Sequence, residues 1–285
     1  MAGRVAVTVA LVVASASASE RRVRWYVNSD VSANVKFAQD HPDAITGFYG
    51  CCGLAGIDAD GNASASNWTH LTGPMKAALA PNRSLTFHAV FGIAEDAIRT
   101  GQAHRAIPEL VRAARAGGAD GLLADYEPST KNQTTAHAEA YADFMDALAK
   151  ELHEVDLELG MDVGGETVLM DWAYFAKTEI DFFSSMSPTY DDEPGARTWF
   201  TKGMAKALGN RTAVGVGSMV DPENKGSCHL NFGWNATKFR SFTDFIQGPD
   251  VRATTLDVWR CDIDTYGETE PWFVDEVAAF LNPKE

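Results

Sequence analysis

Two hydrophobic patterns alternate along the chain. Short runs of apolar, β-branched and aromatic residues predict strands. Longer segments between them repeat their apolar positions about every 3.6 residues and predict helices, of which 106–117, 137–155 and 272–282 are the clearest. The predicted strands cover residues 23–27, 44–50, 85–91, 121–127, 157–163, 181–187, 213–220 and 253–259.

Helix-boundary residues support these assignments. Thr134 and Thr135 precede the helix over 137–155, and the Glu270–Pro271 pair opens the last helix. The glycines at 117 and 118 close the helix over 106–117. Each of these three helices therefore has a start or stop signal at the expected place.

Strands that alternate with helices indicate parallel βαβ units. Eight such units in a chain of 285 residues predict a single-domain (β/α)8 barrel, the TIM barrel, for which about 250 residues is typical. A doubly wound open sheet is the alternative. No G-x-G-x-x-G or P-loop motif follows the first strand, and a count of eight favours the closed barrel.

The amino-acid composition restricts the classes of molecule that the protein is expected to bind. The chain is 45% hydrophobic and 22% charged, with a formal net charge of −15, which argues against nucleic acid and anionic membranes and is compatible with a neutral substrate. The same charge could equally serve solubility alone. No histidine–carboxylate cluster indicates a metal, and we expect no cofactor and a monomer.

The N-terminus has the pattern of a secretory signal. Arg4 precedes an apolar stretch over 5–13 and small residues over 14–18, so we expect a signal peptide over 1–18 and a catalytic domain over 20–285. Export to the extracellular space or to the lumen of a lysosome or vacuole would follow. Four cysteines, which allow three pairings, suit an oxidising compartment. N-glycosylation sequons begin at Asn62, Asn67, Asn82, Asn132, Asn210 and Asn235.

The fourth predicted strand carries the candidate chemistry. Alternation of side chains along a strand places Leu123, Asp125 and Glu127 on one face, pointing into the barrel. Glu127 is then nearest the carboxyl end, where the active sites of such barrels lie. Two carboxylates repel each other and resist burial, so chemistry explains them better than structure does. Asp162 and Glu166, near the end of the fifth strand, are further candidates for the cleft.

The run "DGLLADYE" over 120–127 resembles the D-G-x-D-x-D-x-E motif of family 18 glycoside hydrolases, the chitinase family. Asp120, Asp125 and Glu127 occupy matching positions, and Tyr126 stands where an aromatic is usual. Leu123 departs from the motif, because it replaces the middle aspartate, which in the family shares a proton with the next aspartate.

Two later segments are similar to the family more weakly. Trp259 lies where the family has the tryptophan beneath the sugar, and Met186, Tyr190 and Asp191 resemble its Met-x-Tyr-Asp segment with two extra residues after the methionine. The resemblance implies that Glu127 is the acid and base, that Asp125 orients the substrate acetamide, and that Tyr190 donates a hydrogen bond to it. Asp120, Tyr126, Met186, Asp191 and Trp259 are the implied substrate-binding residues.

The implied activity is retaining hydrolysis of β-linked N-acetylglucosamine-containing oligosaccharides, with the substrate's own acetamide as nucleophile. Chitin oligomers and N-glycan cores both meet this requirement. A chitinase-like lectin that binds such glycans without cleaving them is the alternative, and an unrelated barrel enzyme is a third possibility, because fold alone does not fix function.

Overall fold

Eight strands pair in parallel around a closed circuit, with helices outside them. The structure is a computed structural model that describes residues 21–27, 30–66, 68–129, 133–164, 171–186, 202–220, 228–230, 235–259 and 271–283. The strands are β1 (Arg22–Val27), β2 (Gly47–Ile57), β3 (Ala63–Ala65), β4 (Thr86–Ile93), β5 (Gly121–Asp125), β6 (Glu158–Val163), β7 (Phe182–Ser185), β8 (Thr212–Val220), β9 (Cys228–Leu230) and β10 (Thr255–Trp259).

Pairing runs in the order β1, β2, β4, β5, β6, β7, β8 and β10, and β10 then pairs with β1 to close the barrel. The helices are α1 (Val31–Asp40), α2 (Thr69–Lys76), α3 (Glu95–Arg99), α4 (Ile107–Gly117), α5 (Thr135–His153), α6 (Trp172–Phe175), α7 (202–208), α8 (Ala236–Gln247) and α9 (Pro271–Leu281). The predicted (β/α)8 barrel is confirmed.

The helix ends follow from local chemistry. The Thr134 side chain accepts a hydrogen bond of 3.2 Å from the His137 backbone N–H at the start of α5. Asn235 does the same for the Lys238 N–H at 3.0 Å at the start of α8. Helix α4 ends at Gly117 and is capped by Gly118, whose φ of 70° lies in the left-handed region that glycine adopts without strain. Among the described helices, none is both long enough and apolar enough to cross a bilayer.

Alternation along β5 separates two cores. Leu122 and Ala124 are fully buried in the layer between the barrel and its helices. Leu123 is fully buried inside the barrel, where the inner cluster comprises Tyr26, Tyr49, Cys51, Val90, Leu123 and Phe182. Leu123 lies opposite Gly160 of β6, and the Phe182 ring together with Leu123 fills the space above that glycine, where a Cβ would lie 2.9 Å from Leu123 Cδ1.

A buried ion pair joins the first and last strands of the barrel. Arg24 of β1 pairs with Asp257 of β10 in the strand register, and its Nε donates to Asp257 Oδ1 at 2.9 Å. The Tyr49 hydroxyl donates to the same oxygen at 3.0 Å. The Arg24 guanidinium also lies 3.8 Å from the centre of the Phe182 ring. At most 1% of the surface of either residue is exposed to solvent.

The structure differs from the predicted elements at several strand ends and by two additional short strands. Pro42–Ala44 forms a 3₁₀ turn, so β2 begins at Gly47 rather than at 44 and continues to Ile57. Strand β5 ends at Asp125, two residues before the predicted end. Two short strands were not predicted: β3 is antiparallel to β2 and β9 is antiparallel to β8.

Cys51 lies at 9% exposure in β2 and is disulfide-bonded. The side chains of the other three cysteines fall outside the described residues.

Candidate active site

A cavity of about 120 Å³ opens at the carboxyl ends of the barrel strands. Asp125, the last residue of β5, and Glu127, two residues beyond it, both line this cavity, as alternation along the strand predicts. The remaining lining residues come from five other strands and the ends that follow them: Tyr26, Asp162, Ser184, Met186, Gly215, Val216, Asp257 and Trp259.

Asp125 is the inner of the two carboxyl groups. Its burial, and then the negative charge of Glu127, raise its pKa to about 6. Its Oδ1 atom is buried and has no hydrogen-bond donor among the described residues. An acid in this setting changes its charge close to neutral pH, which is typical of catalytic carboxyl groups.

Glu127 is exposed at the mouth of the cavity. Positions two apart on an extended chain are about 7 Å apart, so both carboxyl groups face one side of any ligand in the cavity. The outer group can deliver a proton to a ligand oxygen while the inner one accepts a hydrogen bond from a ligand N–H. Most glycosidases place two carboxylates on opposite sides of the sugar, and these two positions do not provide that arrangement.

Trp259 and Met186 form an apolar part of the same cavity. Trp259 ends β10 and is partly exposed, and its ring centroid lies 5.1 Å from that of Tyr26. Met186 directly follows β7. The structure therefore places both of these predicted substrate-binding residues beside Asp125 and Glu127. A partly exposed indole at the edge of a cavity is a surface on which a sugar ring can stack.

Two further carboxyl groups make the cavity strongly acidic. Asp162 is the penultimate residue of β6 and is 2% exposed. Its Oδ1 accepts a hydrogen bond of 2.6 Å from the Tyr26 hydroxyl. Burial, followed by the charge of Asp125, raises the pKa of Asp162 well above its usual range. Asp257 lies deeper, at its ion pair with Arg24.

Of these cavity residues, Asp162 was a sequence candidate, whereas Tyr26 and Asp257 were not identified. A usable signal existed for Asp257, because it precedes Trp259 by two positions and must share its face of the strand.

Two residues assigned to substrate binding lie elsewhere. Asp120 precedes β5, at the opposite end of the barrel, where its Oδ1 pairs with Lys76 Nζ at 2.6 Å and its Oδ2 accepts from the Phe87 backbone N–H at 2.8 Å. Tyr126 is 3% exposed and its hydroxyl lies 2.7 Å from His137 Nε2 of α5. Both assignments are corrected: even-numbered positions here face the helix layer, so these residues support the strand instead of lining the cavity.

Several predicted positions lie outside the described residues. They are Tyr190, Asp191, Glu166, Asn67, Asn132 and the signal segment 1–18. The other sequon asparagines, Asn62, Asn82, Asn210 and Asn235, are all exposed, as a glycan would require. Glycosylation itself stays a prediction.

The fold is that of known chitinases. The structure matches a chitinase from Chromobacterium violaceum with a TM-score of 0.66 at 12% identity, over 93% of this chain and 100% of that one. It matches the Group IV chitinase of Ostrinia furnacalis, solved in complex with allosamidin, with a TM-score of 0.64 at 13% identity, over 92% and 99% of the two chains.

The spore cortex-lytic enzyme SleL of Bacillus megaterium gives a TM-score of 0.66 at 11% identity, over 90% of this chain and 74% of that one. No protein-family model matches the sequence, and no curated protein matches it either. The TM-scores establish a shared (β/α)8 barrel, and identities this low leave the activity to be argued from the site.

Proposed function

We propose that this chain is a retaining glycoside hydrolase that cleaves β-linked N-acetylglucosamine-containing glycans with help from the substrate's acetamide group. The observation that carries the proposal is the position of Asp125 and Glu127, one behind the other on a single strand end and inside one cavity with Trp259. Support also comes from the shared fold with chitinases, one of them in complex with allosamidin.

Glu127 acts first as the general acid. Its exposed position at the cavity mouth lets it protonate the glycosidic oxygen of the leaving sugar as the C1–O bond breaks. The acetamide oxygen of the same substrate forms the new bond to C1, so no protein nucleophile is needed on the opposite face. In the second half of the reaction Glu127 accepts a proton from water, and that water opens the cyclic intermediate with net retention.

Asp125 acts behind Glu127. As a carboxylate it accepts a hydrogen bond from the acetamide N–H and offsets the positive charge that develops on the cyclised ring. Trp259 stacks beneath the sugar, and Met186 packs beside it. Tyr190 is assigned the hydrogen bond to the acetamide oxygen on the resemblance of its segment alone.

The environment of the enzyme is part of the proposal. We propose that the segment 1–18 directs the chain into the secretory pathway and that the exposed sequon asparagines carry glycans there. Soluble chitin oligosaccharides and N-glycan cores are the two substrate sources, and both present the acetamide group that the mechanism uses.

The test compares the wild-type protein with Glu127→Gln, on a fluorogenic chitobioside, a chitin tetramer and an N-glycan core. The glutamine keeps the shape of the side chain and cannot donate the proton, so the rate should fall by about 10²–10⁴-fold with little change in binding. A thiazoline mimic of the cyclised acetamide should inhibit the wild-type enzyme. Binding without turnover in both forms would instead identify a lectin, and turnover unaffected by Glu127→Gln would contradict the assigned role.

A further inference from the structure

Asp125 and Asp162 each follow the last paired residues of β5 and β6, Ala124 and Met161. Strands β5 and β6 pair Leu123 with Gly160 and Ala124 with Met161, so one step further the register places Asp125 opposite Asp162. Both side chains line the cavity, and paired residues on neighbouring strands lie about 5 Å apart. Two carboxyl groups are therefore side by side inside the barrel.

The hydrogen-bond partners of the two carboxyl groups indicate where a proton can lie between them. Asp162 Oδ1 accepts from the Tyr26 hydroxyl, which leaves Oδ2 as the place for a proton. Asp125 Oδ1 is buried and lacks a donor among the described residues. The charged or titratable groups around Asp162 are Tyr26, Tyr49, Asp125, Tyr141, Asp257 and Arg24.

The balance of these groups favours a protonated Asp162. Arg24 forms an ion pair with Asp257, so the negative charge of Asp257 offsets most of the stabilisation that Arg24 could give to an ionised Asp162. The remaining influences, which are burial and the neighbouring carboxylates, raise the pKa of Asp162 well above its usual range. A neutral carboxylic acid has one O–H, and the adjacent acceptor that lacks a donor is Asp125.

We propose that Asp162 is a positioning residue: its carboxylic O–H donates to Asp125 from the neighbouring strand, so that the two groups hold one proton and one negative charge between them. This inference rests on the proposed function, because it is the substrate acetamide that the oriented Asp125 serves. It also explains how the chain can have Leu123 two positions before Asp125, since the carboxyl partner comes from β6 instead of β5.

The first measurement is a pH titration of the aspartate carboxyl groups by ¹³C NMR, without substrate. In the wild type, Asp162 should remain protonated through the pH range in which Asp125 ionises. Asp162→Leu removes the donor and should raise the Asp125 midpoint by about 1–2 pH units, the size expected for losing a hydrogen bond to a charged group. Asp162→Asn keeps an N–H donor and should leave that midpoint within about half a unit.

Kinetics then separates positioning from folding. Asp162→Leu should lower kcat about 10–100-fold with little change in KM, and Asp162→Asn should retain most of the rate. If the leucine variant unfolds, Tyr26→Phe provides a second test. It removes the hydroxyl that donates to Asp162 Oδ1 and keeps the aromatic ring, so the titration midpoint of Asp162 should change while the packing of the cavity is retained. An unchanged Asp125 midpoint in the leucine variant, or ionisation of Asp162 at a lower pH than Asp125, would overturn the inference.

A relocation variant sharpens the test. Leu123→Asp added to Asp162→Leu restores a carboxyl group two positions before Asp125, and should recover kcat at least about tenfold over the matched Leu123→Ala/Asp162→Leu protein. Equal rates in these two proteins would count against a carboxyl partner. If the wild type turned over no aminosugar substrate, the proposed reaction would fail, while the titration would still decide whether the pair shares a proton.

Discussion

Asp125 is held in an environment that opposes its charge. Burial and the nearby Glu127 raise its pKa to about 6, whereas an aspartate in an unfolded chain ionises near 3.9. Because the folded pKa is the higher one, the folded state loses no stability through this group below pH 4. The penalty grows between pH 4 and 6 and is complete above 6.

We therefore expect Asp125→Asn to stabilise the folded protein at pH 7.5. The gain in free energy of unfolding should be about 2–3 kcal/mol, the equivalent of a shift of about two pKa units, and it should disappear as the pH falls to 4. Urea denaturation of both proteins at several pH values measures it. Asp143→Asn on the exposed face of α5 is the control and should show no such gain. A pH-independent difference would contradict the assignment.

The sequence identifies the two central acids and not their surroundings. Asp125 and Glu127 follow from alternation within one strand together with a motif, which are local features. Asp120 and Tyr126 were assigned by the motif alone, although the same alternation places them on the outer face. The partnership of Asp125 with Asp162 depends on the register between β5 and β6, and register is set by packing that no local pattern reveals.

At the scale of elements, the strand order was predictable because each barrel strand is a buried apolar run between helical segments. All eight were found, with errors confined to their ends. The short strands β3 and β9 were missed since three residues are too few to show a period, and "ASA" over 63–65 has no apolar signal. The ends of the three predicted helices lie within two residues of the observed ends of α4, α5 and α9.

One of these caps coincides with a glycosylation sequon. Asn235 Oδ1 accepts from the Lys238 N–H, whereas a glycan would be attached through Nδ2, so one side chain can serve both purposes. Asn235→Ala should cost about 1 kcal/mol of stability in unglycosylated protein, and Asn235→Asp should cost almost nothing because aspartate caps equally well. Thermal denaturation of protein made without glycosylation checks both values.

Thr237→Ala is the matched control for the sugar itself. It abolishes the sequon and leaves the Asn235 cap intact, so in protein from a glycosylating host it should lose one glycan by mass. Its stability without glycans should equal that of the wild type. If Asn235→Asp is as unstable as Asn235→Ala, the cap is not what Asn235 contributes to α8.

At the scale of the molecule, the barrel is closed by contact between β1 and β10, strands from opposite ends of the chain. Arg24 and Asp257 lie at this seam, and both are almost completely buried. Removing one partner of a buried pair leaves an uncompensated charge in the interior, which is far more costly than losing an exposed pair.

We expect Arg24→Met to lower the free energy of unfolding by about 3–5 kcal/mol. Combining it with Asp257→Leu should restore part of that loss, since no charge then remains buried. The exposed pair of Lys36 and Asp40, 2.6 Å apart on α1, is the matched control, and Asp40→Asn should cost less than about 1 kcal/mol. Denaturant titrations compare the four proteins, and equal losses at both pairs would contradict the importance of the seam.

The seam also bears on how the chain is made. β1 is synthesised before β10, so one of its two edges and the Arg24 guanidinium have no partner until residues 255–259 have been made. Until then the nascent chain exposes an unpaired strand edge and an unmatched cation, a state prone to association with other chains. Protection of the β1 edge during translation therefore has to last until β10 is available to pair with it.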